Sequence, residues 1–402
     1  MTANRKREER MAHIVIIGAG SGGLSAAHEM DELARPGDRI TVVSDAADLR
    51  FAEASPWSAT KGADRVEFSV AEQLQRKGIA FTAAGARRVH PAQNRIELGD
   101  GEFLDYDFLM ITTGPKVAFD NIEGLGPNGY TQSRCHVEHT VLASEAWERF
   151  IANPGPIVVG AVQGASCFGA AYESAFAMDA DLRRRGVRDR APMTFVTAEP
   201  FIGHLGLGGM EDSRTMLESA MREKNIGWIA NASVTRVEPD RMHVTELGTD
   251  GAPDKQHVLS FNYSMMVPAF RGIDAVSGIE GLVSPRGFII IDEFQRNPRY
   301  PNIYAAGVAV ASAAAARAPA DTAKTGYMVE STTTAAVNNI REQIDNREPT
   351  HKASWNQVCL ASLGGSGLSF VALPHAQPGD GSWFSDGKWT YLARCTSCDA
   401  GC

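Results

Sequence analysis

Long apolar runs, an export leader and excess positive charge are all missing from this chain. No uninterrupted apolar stretch reaches bilayer-spanning length, and the basic start from Met1 to Arg10 lacks the apolar core of a secretory leader. Met11, directly before the first apolar run, reads as an alternative start. The net charge is -9, with no basic stripe and interleaved aromatics to offset it, which argues against nucleic acid as a partner. Cysteine is sparse: six in 402 residues, too few for a secreted disulfide scaffold and better read as redox or metal groups. No repeat of solenoid period occurs. The expectation is a cytoplasmic protein, or one bound peripherally to the cell membrane without crossing it.

What is present is an α/β text. The length calls for two domains and a tail. His13–Ile17 reads as a buried strand, Gly18, Gly20 and Gly23 then make a G-x-G-x-x-G turn, and an Ala-rich helix and a second strand, Arg39–Val43, follow. A lone glycine fingerprint is weak, but between a strand and a helix it has the context it requires. Its glycines let the backbone approach a pyrophosphate resting on the helix N-terminus. The ribose partner belongs about 20 residues on, where Ser44 and Asp45 stand; the choice between them stays open. Phe108 to Gly114 reads as a strand ending in a T-T-G-P turn, and residues 156–162 and 193–198 as strands of a second α/β unit distantly duplicating the first. Gly287–Asp292 and Asn302–Gly307 read as segments returning the chain to the first unit, with Val308 where an aspartate commonly stands. The segment 308–340 should end in a helix.

The second unit lacks the glycine pattern of the first. Its strand runs through Gly160 and Gly164 into Cys167, a thiol at a helix start, where an N-terminus favours thiolate. Each of Cys135, Cys167 and Cys359 reads either as a small buried residue or as a working thiol. His139, four residues after Cys135, reads as a proton acceptor on a shared helical face or as a solvated loop histidine. Glu173 reads as a general base or as a helix-surface carboxylate, and His204, in a glycine-rich loop, as a proton relay or a surface residue. Cys395, Cys398 and Cys402 lack a fourth ligand nearby, so they read as a tail and no metal site is assigned.

Several runs closely resemble the bacterial sulfide:quinone oxidoreductases of the flavin disulfide-reductase superfamily. They are Thr113–Lys116, Gly124–Ser133 ahead of Cys135, Val158–Gly169, Pro200–Gly209, Ala323–Glu330 and Trp355–Leu360, within a similarity spanning about residues 12–392. The resemblance implies two tandem Rossmann-like dinucleotide-binding domains and FAD. The matching cofactor positions are Gly18, Gly20, Gly23, Ser44, Asp45, Gly114, Gly307, Val308, Lys324 and Gly326. It implies a redox pair of Cys167 and Cys359, with Cys135 carrying growing polysulfide, Glu173 as a base and His139 and His204 as proton carriers. Hydrosulfide would open the bridge, and two electrons would pass through the flavin to a quinone of the ubiquinone, menaquinone or plastoquinone type. Lys388, Trp389 and Tyr391 fall where the family builds its quinone pocket. A homo-oligomer is expected.

The implied organisation is an FAD-binding domain in two parts, 11–115 and 285–345, around a second Rossmann-like domain, 116–284, with a degenerate nicotinamide site. Residues 346–402 form a short quinone- and membrane-side element. Departures from the family are an Ala361–Gly367 segment without its two acids and an alanine-rich approach to the K-T-G run. The tail after Trp383 is short and the chain acidic overall, which suits only weak membrane attachment. Alternatives are a sulfide dehydrogenase with a cytochrome acceptor, an NADH:quinone reductase, and a flavin-bearing sulfide sensor or sulfur-binding protein.

Overall fold

The computed structural model describes residues 11–51, 66–206, 213–311, 326–355, 357–362, 367–372 and 383–387. Helices among them are α1 (Ser21–Leu33), α2 (Val70–Arg76), α3 (Val137–Ala152), α4 (Phe168–Arg184), α5 (Ser213–Glu223) and α6 (Gly326–Ile344).

The apolar runs form strands buried on both faces, because a parallel sheet is covered on both sides. A first, all-parallel sheet orders Ile303–Ala305, Phe108–Ile111, His13–Ile17, Arg39–Val43 and Ala80–Thr82. Within His13–Ile17 the side chains alternate as the strand period demands. Ile14 and Ile16 pack with Met30 of α1 and Ile340 of α6, while Val15 and Ile17 pack on the opposite face with Val89, Ile96 and Leu109. That opposite face is covered by an antiparallel meander, Ala86–His90, Arg95–Leu98 and Phe103–Asp105.

The second unit repeats the plan. Ile226–Ile229, Met193–Thr197, Ile157–Ala161 and Tyr263–Val267 form a parallel sheet. One face packs on α3 and α4 through Trp147, Tyr172, Phe176 and Phe195. The other meets a meander of Ala232–Glu238, Arg241–Leu247 and Pro253–Ser260. The duplication read from the two sequence segments is thus visible as two sheets, each with its own meander.

The return segment is irregular over its first part. Gly287–Asp292 is not a strand: Ile289 forms only isolated bridges to Val283 and Val310. Its hydrogen bonds are dispersed, Ile290 N–H going to Leu282 and Ile289 N–H to Ala309. The buried Asn297 amide donates to the Gly281 and Ile290 carbonyls at 3.0 and 2.7 Å, replacing a ladder with a side-chain brace. The strand within 302–307 is Ile303–Ala305, and the helix expected near 340 is α6.

Near the C-terminus, Gln357–Ser362, Gly367–Ala372 and Trp383–Gly387 form an antiparallel sheet. Its first strand lies against both α4 and α6, joining the two units. No helix among the described residues is long and apolar enough to cross a membrane.

Candidate active site

A cleft of about 1010 Å³ opens at the carboxyl ends of the first sheet, where open α/β sheets bind ligands. Gly18, Gly20, Ser44, Asp45 and Gly114 all line it. The fingerprint glycines have separate steric reasons. At Gly18, φ is +108° and a Cβ would press the Thr112–Thr113 backbone at 3.0 Å. A Cβ on Gly23 would stand 1.8 Å from the Gly18 carbonyl oxygen, so this glycine lets α1 close onto the strand. Gly20, the N-cap of α1, has nothing within 4 Å of a Cβ, leaving open space before the helix N-terminus. The Ser44 hydroxyl accepts the Ala46 N–H at 3.2 Å and keeps its own proton to donate, and Asp45 sits exposed beside it. Val308 lines a small neighbouring cavity with Gly114 rather than the cleft, and the Gly307 N–H donates to Thr332 of α6 at 3.0 Å. His136 and Lys116 also line the cleft, and the sequence reading missed both. Lys116 pairs with Asp274 across it. Gly326 is the first residue of α6; Lys324, Lys388, Trp389, Tyr391, Cys395, Cys398 and Cys402 lie outside the described residues.

The sulfur candidates converge on α4. Cys167 is its exposed N-cap, as the sequence reading expected of a thiol at a helix start. The strand carrying Cys359 lies against the same helix. Cys135 is half-buried; burial pushes its thiol up, while the Ser133 hydroxyl and the Arg134 guanidinium pull it back. Helix α3 begins only after His136, so Cys135 lies outside it and shares no helical face with His139, which, standing inside α3, is not a loop histidine either. The cause is local: the Ser133 hydroxyl accepts the Cys135 N–H at 3.2 Å in a side-chain turn that delays the helix. His139 instead packs edge-on to His136, with ring centroids 5.0 Å apart. Its Nδ1 is buried without a partner, and burial followed by His136 lowers its pKa. Through His136 it is one ring away from the cleft.

Glu173, on the second turn of α4, is neither a solvated surface carboxylate nor isolated. Arg134 donates to its Oε2 at 3.1 Å and to the Ser174 hydroxyl at 3.2 Å.

His204 is buried as well, not a surface-loop residue; burial lowers its pKa and leaves Nδ1 unpartnered. Its loop is held by Glu199, which the sequence reading passed over. Glu199 Oε1 accepts the Leu205 N–H at 2.6 Å, and Oε2 accepts from the Tyr172 and Thr197 hydroxyls, both at 2.8 Å. Tyr172 in turn accepts the Gly203 N–H at 2.9 Å. One carboxyl therefore ties the His204 loop to α4.

Burial raises the Glu199 pKa from 4.5 to about 7 against the lowering effect of its hydrogen bonds. The folded protein thus keeps a proton that the unfolded chain releases. Stability from this group is present in full below the unfolded value and is lost as pH rises through about 7. The difference amounts to about 3 kcal/mol. Glu199→Gln, which mimics the protonated form, is expected to gain most of that at pH 8.5 and almost nothing at pH 4. Urea unfolding at both values reads it; equal native and variant pH slopes would disprove the assignment.

The second unit keeps room for a dinucleotide but not the cradle. A cleft of about 1050 Å³ borders Gln163, Gly164, Arg271 and Arg286. At its turn, the Gln163 amide donates to the Val234 carbonyl at 2.8 Å and accepts the Val234 N–H at 3.0 Å. Arg286 caps the Gly164 carbonyl at 2.8 Å. Glu199, just past the end of the second strand where an acid would face a ribose, is turned inward.

This frame of two Rossmann-like units matches the pyridine nucleotide-disulphide oxidoreductase family over residues 12–329. Sulfide-quinone reductase of Aquifex aeolicus is 33% identical over 388 residues, which cover 95% of this chain and 88% of that protein. The chain belongs to the sulfide:quinone oxidoreductases of that family. The X-ray structure of the Aquifex aeolicus sulfide:quinone oxidoreductase superposes with a TM-score of 0.87, covering 96% of this chain and 90% of that one. The mitochondrial sulfide:quinone oxidoreductase of Mus musculus is 21% identical over 73% of this chain and 64% of its own length. The family is one of flavoproteins, and the first cleft fits a flavin cofactor: it has the volume, an open glycine and an unblocked helix N-terminus.

Proposed function

We propose that this flavoenzyme oxidises sulfide with a quinone as electron acceptor, using FAD in the first cleft. The observation that carries the reading is the placement of Cys167 at the N-cap of the helix against which the Cys359 strand lies.

Hydrosulfide attacks the Cys167–Cys359 bridge. A new sulfur–sulfur bond forms to one cysteine, the bridge breaks and the other cysteine leaves as thiolate. The Cys135 thiolate then takes the outer sulfur, freeing the first cysteine and becoming a persulfide, and each further turnover of the bridge delivers one more sulfane sulfur that lengthens it to polysulfide. Closing the bridge again from two thiolates releases two electrons. A flavin in the cleft supplies a two-electron store between this bridge and the quinone. His139 and His204, each with a buried and unpartnered Nδ1, carry protons away from the site. Glu173 belongs to the same cluster through Arg134. Lys324 and Gly326 complete the cofactor side, and Lys388, Trp389 and Tyr391 receive the quinone. The chain divides into 11–115 with 285–345, 116–284, and 346–402, the last facing the quinone and membrane surface. Neither a cytochrome-linked dehydrogenase nor a sulfide sensor is favoured by the relatives.

Anaerobic sulfide is expected to bleach the flavin band of the purified protein, and a short-chain quinone to restore it over many turnovers. NADH should leave the band unchanged, because the second unit has lost its pyrophosphate turn and ribose acid. Rapid bleaching by NADH, or a single reduction by sulfide that quinone cannot reverse, would overturn the proposal.

A further inference from the structure

Arg134 stands directly before Cys135 and reaches across to α4. Its Nη2 donates to Glu173 Oε2 at 3.1 Å and its Nη1 to the Ser174 hydroxyl at 3.2 Å. Ser174 donates onward to the Ala170 carbonyl at 2.7 Å, so the contact is anchored in the first turns of the helix that Cys167 caps. Both charged side chains are largely withdrawn from water, at 10% and 12% exposure. An ion pair so placed is undiluted by solvent, and loss of one partner strands the other charge. A two-pronged guanidinium also fixes distance and angle in a way a single contact does not.

We infer that Arg134 is a positioning residue for sulfur transfer, clamping the Cys135 loop to α4 through Glu173 and Ser174 and setting a positive charge beside the Cys135 sulfur. The inference rests on the reading of Cys135 as sulfur acceptor. In the transfer, the Cys135 thiolate forms a bond to the outer sulfur of the persulfide. The bond between that sulfur and the redox cysteine breaks, and the electron pair stays on that cysteine as thiolate. Negative charge sits on Cys135 before the step and on the redox cysteine after it. The guanidinium favours the attacking form, an effect already visible as its downward pull on the Cys135 thiol. The other charged and titratable groups around this segment are His136, Glu138 and His139 of its own stretch and Glu173 from α4. Glu173 is accordingly one jaw of the clamp, and it moderates the charge that Arg134 presents to sulfur.

The test uses the flavin-loaded enzyme and the variants Arg134→Gln, Glu173→Gln and the double substitution, which removes both charges and strands neither. One turnover with sulfide is followed by alkylation and peptide mapping. The Cys135 persulfide should fall about tenfold in R134Q and in the double variant, while first-turnover bleaching of the flavin is retained in R134Q. The pH profile of Cys135 alkylation should move upward in R134Q and downward in E173Q, opposite shifts that a general loosening of the loop would not give. Native persulfide yield in the double variant, or an unmoved alkylation profile in R134Q, would overturn the role of Arg134. Absence of Cys135 persulfide in the native enzyme would instead overturn the sulfur-acceptor reading itself. Slow bleaching in E173Q with an unmoved Cys135 profile would return Glu173 to the role of general base.

Discussion

Cys167→Ser is expected to abolish reduction of the flavin by sulfide, lowering the bleaching rate on the order of 10³-fold or more, the scale on which loss of a covalent nucleophile acts. A serine hydroxyl can neither form the bridge to Cys359 nor hold a persulfide, so the first sulfur–sulfur bond has nowhere to form. The substitution should be structurally mild. Cys167 is exposed and makes no side-chain cap, and serine is itself a favoured N-cap residue. Flavin content is therefore expected to stay native, and the thermal midpoint to match that of the native protein with its bridge reduced. Stopped-flow absorbance with anaerobic sulfide measures the rate, and native bleaching in this variant would reduce Cys167 to a structural residue.

Gly23→Ala should act on the other half of the site. The added methyl would lie 1.8 Å from the Gly18 carbonyl oxygen, with the Gly18 carbonyl carbon at 2.7 Å, both backbone atoms that cannot swing aside. Overpacking of this kind costs about 1–3 kcal/mol, and more when backbone must move. Because the displaced carbonyl belongs to the phosphate turn, the strain falls where the cofactor binds. Flavin affinity is expected to fall at least about tenfold, together with the melting temperature of the flavin-free protein. Gly20→Ala supplies the contrast. Its methyl meets no protein atom within 4 Å, so the flavin-free protein should melt as native while flavin is still lost to crowding of the pyrophosphate. The flavin-to-protein absorbance ratio after dialysis, and melting without flavin, separate the two. Native flavin retention in Gly23→Ala would show that α1 closes onto its strand in another way.

The parts of this protein most legible in sequence are those built from short-range rules. His13–Ile17 and Ile157–Ala161 announce themselves as doubly covered strands by unbroken apolar text, and the three fingerprint glycines by their spacing. Cys167 is legible because a thiol directly after a strand and turn must fall at a helix start. Gly287–Asp292 shows where such rules fail. It has the composition of a strand, but Asn297, five residues beyond its end, takes the Ile290 carbonyl. A side-chain brace leaves no periodic trace. The same limit hid Arg134 and Glu199, whose partners lie 39 residues downstream in one case and 27 upstream in the other. An arginine beside a cysteine and a glutamate past a strand end were the signals available, and neither says which way the side chain turns. Spacing left His139 open between a face shared with Cys135 and a loop, because it does not show that the Ser133 turn postpones the helix to Val137.

Gln163 makes the loss of the second dinucleotide site hard to reverse. Its amide occupies both the N–H and the C=O of Val234, extending the strand edge that Glu123 bridges at Arg236, so it has become part of the sheet. Restoring a glycine at that turn would reopen the phosphate cradle and at the same moment expose two unpaired backbone groups. A lineage, or an engineer, seeking nicotinamide use from this scaffold cannot proceed one substitution at a time. The meander edge must first find another partner, and Glu199 must let go of the His204 loop. The specialisation for sulfur is therefore held in place as much by the cost of leaving it as by the chemistry it permits.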